Sequence, residues 1–160
     1  MIQRVTCATY AHISLSLDRE LEWMYSFGRL KVNRPFKGGL VRERLDSGVF
    51  ALSPDAPAAL YKLRVSNAAY QSINERLDEM LLERERYQYD FLGAFLCFLG
   101  IPRHSRRQYI CSRFVAELLE KAGAAKLPKP PELMLPGDFC GLTGLELVYR
   151  GALRGLTAGS

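Results

Sequence analysis

Two side chains in this sequence could do nucleophilic chemistry together: the thiol of Cys111 and the imidazole of His12. Cys111 opens the run Cys111-Ser112-Arg113-Phe114-Val115-Ala116-Glu117-Leu118-Leu119, whose apolar spacing predicts a helix starting near Tyr109 and stopping at Gly123. In the first turn of a helix, unpaired amides and the helix dipole favour the thiolate, the form that attacks electrophiles. An adjacent imidazole activates such a thiol and later protonates the leaving group. The Cys111 amide, at the same helix end, could help to stabilise an oxyanion. Plainer readings also fit. Cys111 lies on the stripe Phe114, Val115, Leu118, Leu119 and Ala122, where a cysteine is commonly a small buried hydrophobe. His12, on the polar side of its strand, suits simple surface exposure. Cys7, Cys97 and Cys140 have no base near them in sequence and read as structural, while His104 reads as solvated.

The elements that must position this pair follow from periodicity. His12 to Leu17 alternates, with Ile13, Leu15 and Leu17 on one face, and the alternation resumes with Leu21, Trp23, Tyr25 and Phe27. These runs read as a β-hairpin whose apolar faces coincide when Leu17 pairs with Leu21, Leu15 with Trp23 and Ile13 with Tyr25. That register sets Ser26 opposite His12, although Ser26 could equally be an ordinary cross-strand polar partner. Leu40 to Leu45, Gly48 to Leu52 and Ala59 to Val65 read as further strands. Ser66 or Asn67 caps a helix with the stripe Tyr70, Ile73, Leu77, Met80 and Leu81. A second helix spans Asp90 to Leu99, ahead of Gly100 and Pro102, Pro128 to Pro136 forms an ordered loop, and Leu145 to Tyr149 forms a last strand. Strands first and helices later predict an α+β fold, one domain over residues 1–160 with 151–160 as a flexible tail.

Composition narrows the chemistry. The 160 residues carry 22 basic and 17 acidic side chains, a net charge of +5. The excess is concentrated in Arg29, Lys31, Arg34, Lys37, Arg42 and Arg44, against Glu43 alone, and in Arg103, Arg106 and Arg107. Such clusters suit an anionic partner, but no nucleic-acid-binding motif accompanies them. The longest apolar run, Phe91 to Ile101, is too short to span a bilayer. Four scattered cysteines make no disulfide framework, and two histidines complete no zinc site, so neither a metal nor a cofactor is expected. The start Met1-Ile2-Gln3-Arg4 leads into no apolar signal region, which predicts a cytoplasmic protein.

The segments Ala11-His12-Ile13-Ser14-Leu15-Ser16-Leu17-Asp18 and Tyr109-Ile110-Cys111-Ser112-Arg113-Phe114-Val115-Ala116-Glu117-Leu118-Leu119 resemble the two halves of a circularly permuted NlpC-type cysteine hydrolase of papain-like fold, in which the histidine strand precedes the cysteine helix. Met24-Tyr25-Ser26-Phe27-Gly28-Arg29 and Tyr87-Gln88-Tyr89-Asp90-Phe91-Leu92-Gly93 resemble a bacterial branch of that superfamily, and the likeness covers residues 4–140. The resemblance implies a permuted papain-like fold, an antiparallel β-meander packed against three helices. It implies Cys111 as nucleophile, His12 as base, and a third polar residue that orients the imidazole from the adjacent strand, a role for which the hairpin register nominates Ser26. The implied reaction is hydrolysis or transfer at an amide or ester through a thioester, on a peptide-like or acyl-bearing substrate, with Tyr25, Tyr109 and Ser112 as candidate substrate contacts. Two other expectations share this layout: a lipid acyltransferase resembling the lecithin:retinol acyltransferase branch, and a catalytically idle module that holds an anionic partner on a basic groove rim.

Overall fold

The computed structural model describes residues 2–4, 11–29 and 37–156. Its strands are β1 (Ile2–Arg4), β2 (Ser14–Ser16), β3 (Met24–Arg29), β4 (Gly38–Glu43), β5 (Pro57–Leu63), β6 (Gln88–Tyr89), β7 (Gln108–Tyr109) and β8 (Leu145–Ala152). Its helices are α1 (Gly48–Ala51), α2 (Asn67–Leu82), α3 (Phe91–Phe98) and α4 (Cys111–Lys121). The fold is α+β. Six strands form an antiparallel sheet in the order β4-β3-β2-β1-β5-β8, and β6 and β7 form a separate parallel pair.

Helix ends follow the local chemistry. Ser66 accepts the Ala69 amide at 3.1 Å to start α2, and Asp90 accepts the Gly93 amide at 2.7 Å to start α3. Gly123 takes φ 65°, the left-handed turn that stops α4, and Gly100 does the same after α3 at φ 74°. The main core lies between the sheet and α2 and α4, with Ile13, Leu15, Phe27, Ile73, Leu77, Phe114, Val115 and Leu119 all buried. Residues 111–119 are buried all round, Ser112, Arg113 and Glu117 included. A second cluster of Leu21, Ala58, Leu60, Leu153 and Leu156 is separate from the first.

Several expectations are corrected. The hairpin pairs Leu15 with Tyr25, two residues beyond Trp23. Asp18 causes the difference: its carboxylate accepts the amides of Glu22 (2.9 Å) and Trp23 (3.4 Å) and the Ser16 hydroxyl (3.2 Å), which builds a wider loop than three residues. Leu21 takes a left-handed φ of 54° in that loop, and burial of its side chain in the second cluster offsets the strain. Gly48 to Leu52 is not a strand; Gly48 at φ 60° turns the chain into the short helix α1. Of residues 151–160, expected to be a flexible tail, Gly151 and Ala152 complete β8 and Leu153 and Leu156 are buried, while 157–160 lie outside the described residues. Cys140 is disulfide-bonded, because distance along the chain does not set distance in the fold, whereas Cys97 and Cys111 are free. Among the described residues no helix is long and apolar enough to cross a membrane.

Candidate active site

The first turn of α4 is held by what precedes it. β6 and β7 run side by side, Tyr89 beside Tyr109, and the Asp90 amide donates to the Tyr109 carbonyl at 2.9 Å. Each strand passes almost directly into a helix, so α3 and α4 begin as neighbours. Ile110 is the extended N-cap of α4, without a side-chain cap, and Cys111 is the first helical residue. The Phe27 ring of β3 lies 5.1 Å from both the Tyr109 and Phe114 rings, centroid to centroid, tying this turn to the sheet. Behind it the Arg113 guanidinium donates to the carbonyls of Gln108 (3.1 Å) and Ser105 (2.7 Å) and to Glu117 (2.9 Å), and Tyr109 donates its hydroxyl to Glu117 at 3.0 Å. Cys111 therefore sits on a fixed base, 6% exposed.

His12 lies just ahead of β2 and packs near Gly28, where a Cβ would stand 3.6 Å from the imidazole Cε1. Its Nε2 donates to Glu43 Oε2 at 3.2 Å. Ser14 Oγ donates to the same oxygen at 2.8 Å and lies 3.3 Å from Nε2. The Cys111 side chain is the other group whose hydrogen bond and charge act on the imidazole. Burial opposes charge on this ring, but the hydrogen bonds to Cys111 and Glu43 and the negative charge of both prevail, and His12 is pushed up to about 10. It carries its proton at neutral pH. An imidazolium beside a thiol is the setting in which thiolate nucleophiles are held.

The structure thus brings Cys111 and His12 together, and it places Ser26 elsewhere. In the observed register Ser26 falls opposite Ser14, and its buried hydroxyl donates to the Ile13 carbonyl at 2.7 Å, so it cannot orient the imidazole. That position belongs to Glu43, which sequence reasoning missed. The signal was a lone acid in a basic stretch, on a strand that returns beside β3 with Glu43 opposite Met24. Tyr89 is a second omission. Burial, with the charges of Cys111 and Asp90 adding to it, pushes its phenol up to about 12, so it keeps its proton at neutral pH. Of the candidate substrate contacts, Tyr109 and Ser112 are corrected, since both are buried and the Tyr109 hydroxyl is committed to Glu117. Tyr25 is half-buried against the main core.

The basic clusters are partly neutralised. Arg42 stacks on Trp23 with its guanidinium 3.6 Å from the ring centroid, Arg44 pairs with Asp46 at 3.0 Å, and Arg103 pairs with Asp90 at 3.2 Å. Lys31 and Arg34 lie outside the described residues, and Arg106 and Arg107 are exposed. His104, Glu117 and Glu132 bring ligand-type atoms within 4.8 Å of one another, but Arg113 Nη2 already supplies a cation there, 2.9 Å from Glu117 and 3.5 Å from His104. The chain matches no family model, no curated protein and no solved structure.

Proposed function

We propose that the protein is a cysteine hydrolase or acyltransferase of permuted papain-like architecture, acting on an amide or ester bond. One observation carries the reading: a single imidazole is hydrogen-bonded both to a cysteine at the first position of a helix and to a carboxylate. Cys111 is the nucleophile, His12 the acid and base, and Glu43 holds the ring and stabilises its charge. In the first half-reaction the Cys111 sulfur attacks the carbonyl carbon, and the C=O electron pair moves onto oxygen. The helix-start amide of Cys111 and the Tyr89 hydroxyl are the candidate donors for that oxyanion. As the carbonyl re-forms, the C–N or C–O bond breaks, and His12 gives a proton to the departing nitrogen or oxygen, leaving a thioester on Cys111. In the second half-reaction His12 takes a proton from water, or from an acceptor hydroxyl or amine. The resulting nucleophile attacks the thioester, and the thiolate departs to restore the starting pair.

The test is labelling of the full chain with an electrophilic acyl probe at neutral pH, with the modified residue identified by mass. The expected result is a single adduct on Cys111, lost in Cys111→Ser and slowed in His12→Ala, while the melting temperature of Cys111→Ser barely moves, since the serine hydroxyl keeps the His12 hydrogen bond. If Cys111 labels no faster than a free cysteine in the same buffer, or His12→Ala labels as fast as the native chain, the reading fails.

A further inference from the structure

Helix α3 is built inside out. Its buried side carries the small residues Gly93 and Cys97, the latter with its sulfur 3.9 Å from the Met134 carbonyl. Its outer side carries Leu92, Phe95, Phe98 and Leu99, which at 100° per residue fall within an arc of about 120°. Phe95 is 61% and Phe98 79% exposed, and Ile101 extends the surface beyond the helix at 48%. No charged residue interrupts positions 91–101. Contiguous exposed apolar surface of this kind marks an interaction site.

Charge around the patch identifies what covers it. The acids nearby are already paired: Asp90 with Arg103 at 3.2 Å, Glu132 with His104 at 2.9 Å and Asp138 with Lys129 at 2.7 Å. Arg106 and Arg107 are exposed and have no acidic partner among the described residues. The Arg107 carbonyl accepts the Gln88 amide at 2.9 Å, which fixes these arginines near the strand that leads into α3. A second copy of the chain would bring the same unpaired arginines and, with Asp90, Glu132 and Asp138 already paired, none of these acids to meet them. An apolar stripe beside unpaired arginines instead matches the boundary of an anionic bilayer, with acyl chains beneath and phosphates at the rim.

We propose that the outer face of α3 (Leu92, Phe95, Phe98 and Leu99, with Ile101) docks on an anionic lipid bilayer. The helix lies in the plane of the interface, its large side chains enter the acyl boundary, and Arg106 and Arg107 meet lipid phosphates. Docking is independent of whether Cys111 reacts, so the two proposals fail separately.

The experiment is sedimentation of the full chain with vesicles of phosphatidylcholine alone or mixed with phosphatidylglycerol, together with its oligomeric state by analytical ultracentrifugation. The native chain is expected to pellet with the anionic vesicles. Phe95→Asp with Phe98→Asp should lower the partition coefficient by about tenfold or more through lost apolar insertion. Arg106→Glu with Arg107→Glu should lower it by about fivefold for each charge removed, on the anionic vesicles alone. Both variants change exposed positions, and an unchanged far-ultraviolet spectrum verifies their fold. Three results overturn the proposal: no pelleting of the native chain, pelleting indifferent to the phenylalanine pair, or a native dimer that the phenylalanine pair makes monomeric, which would assign the face to a second copy.

Discussion

Replacing Glu43 with glutamine removes one negative charge and nearly nothing else. The amide keeps an oxygen to accept from His12 Nε2, now 3.2 Å from Glu43 Oε2, and from Ser14, now at 2.8 Å. What is lost is the charge assistance of that bond: a hydrogen bond to an ionised group is worth about 1.5–3 kcal/mol against about 0.5–1.5 for a neutral one, a difference of about 1–1.5 kcal/mol. At 1.36 kcal/mol per pKa unit, His12 should fall by about one unit from its position near 10. The assay is the second-order rate of iodoacetamide alkylation of Cys111 between pH 5 and 10, read on its own peptide so that Cys97, also a free thiol, does not contribute. Burial pushes the Cys97 thiol up, so it should react slowly and serve as an internal control. The native chain is expected to alkylate faster than Glu43→Gln across neutral pH, the variant moving towards the behaviour of a thiol without a charged partner. A Glu43→Gln profile superimposable on the native one would show that Glu43 neither orients nor charges His12, and the three-residue reading would collapse to a bare Cys–His contact.

Two further outcomes follow from the same structure. Because folding raises His12 from 6.5 to about 10, its contribution to stability is fully present below pH 6.5 and is lost as pH climbs through 10; the urea-unfolding gap between native and His12→Asn should therefore close over that window, by about 1–2 kcal/mol once screening of a ring one-third exposed is allowed for, and a pH-independent gap would contradict the ion-pair assignment. Arg113→Met strands Glu117 in the core with Lys121 and the Tyr109 hydroxyl as its remaining partners and should cost about 3–5 kcal/mol in chemical denaturation, most of it recovered when Glu117 is also made apolar; a cost under about 1 kcal/mol would mean that the buried pair does not hold the base of the site.

How much of this could be read from the chain depends on which interactions decide each feature. Helix α4 was legible because its stripe, its stop at Gly123 and the position of Cys111 in its first turn are all local. The α+β class was legible for the same reason. The approach of His12 to Cys111 rested on the order and spacing of two short motifs, since no local rule joins residues so far apart. The third polar residue was misassigned through two errors of different kinds. Asp18 organises its loop through side-chain hydrogen bonds that period-two alternation does not register, and this slid the hairpin by one pair of residues and removed Ser26 from the ring. Glu43 reaches His12 across β3, from a strand that is not sequentially adjacent to β2, and nothing short of the sheet order β4-β3-β2 supplies that contact. The inverted face of α3 was invisible to periodicity, because a segment apolar on every side does not declare which side faces inward.

The sheet order has a consequence for how the molecule comes into being. β1 and β2 stand in the middle of the sheet, yet they are made first, and β8, which closes the far edge against β5, is made last. About 100 residues separate the imidazole from the thiol, which at ordinary elongation rates is about 5–20 s of synthesis. Before α4 is made, β2, just after His12, has β1 and β3 to pair with but no α4 to cover them. When Cys111 does emerge from the ribosome, its approach to the imidazole requires α4 to pack on the sheet, as Phe114 packs on Phe27. The pair is thus assembled only when α4 packs against the sheet, since neither residue alone has the other's hydrogen bond or charge.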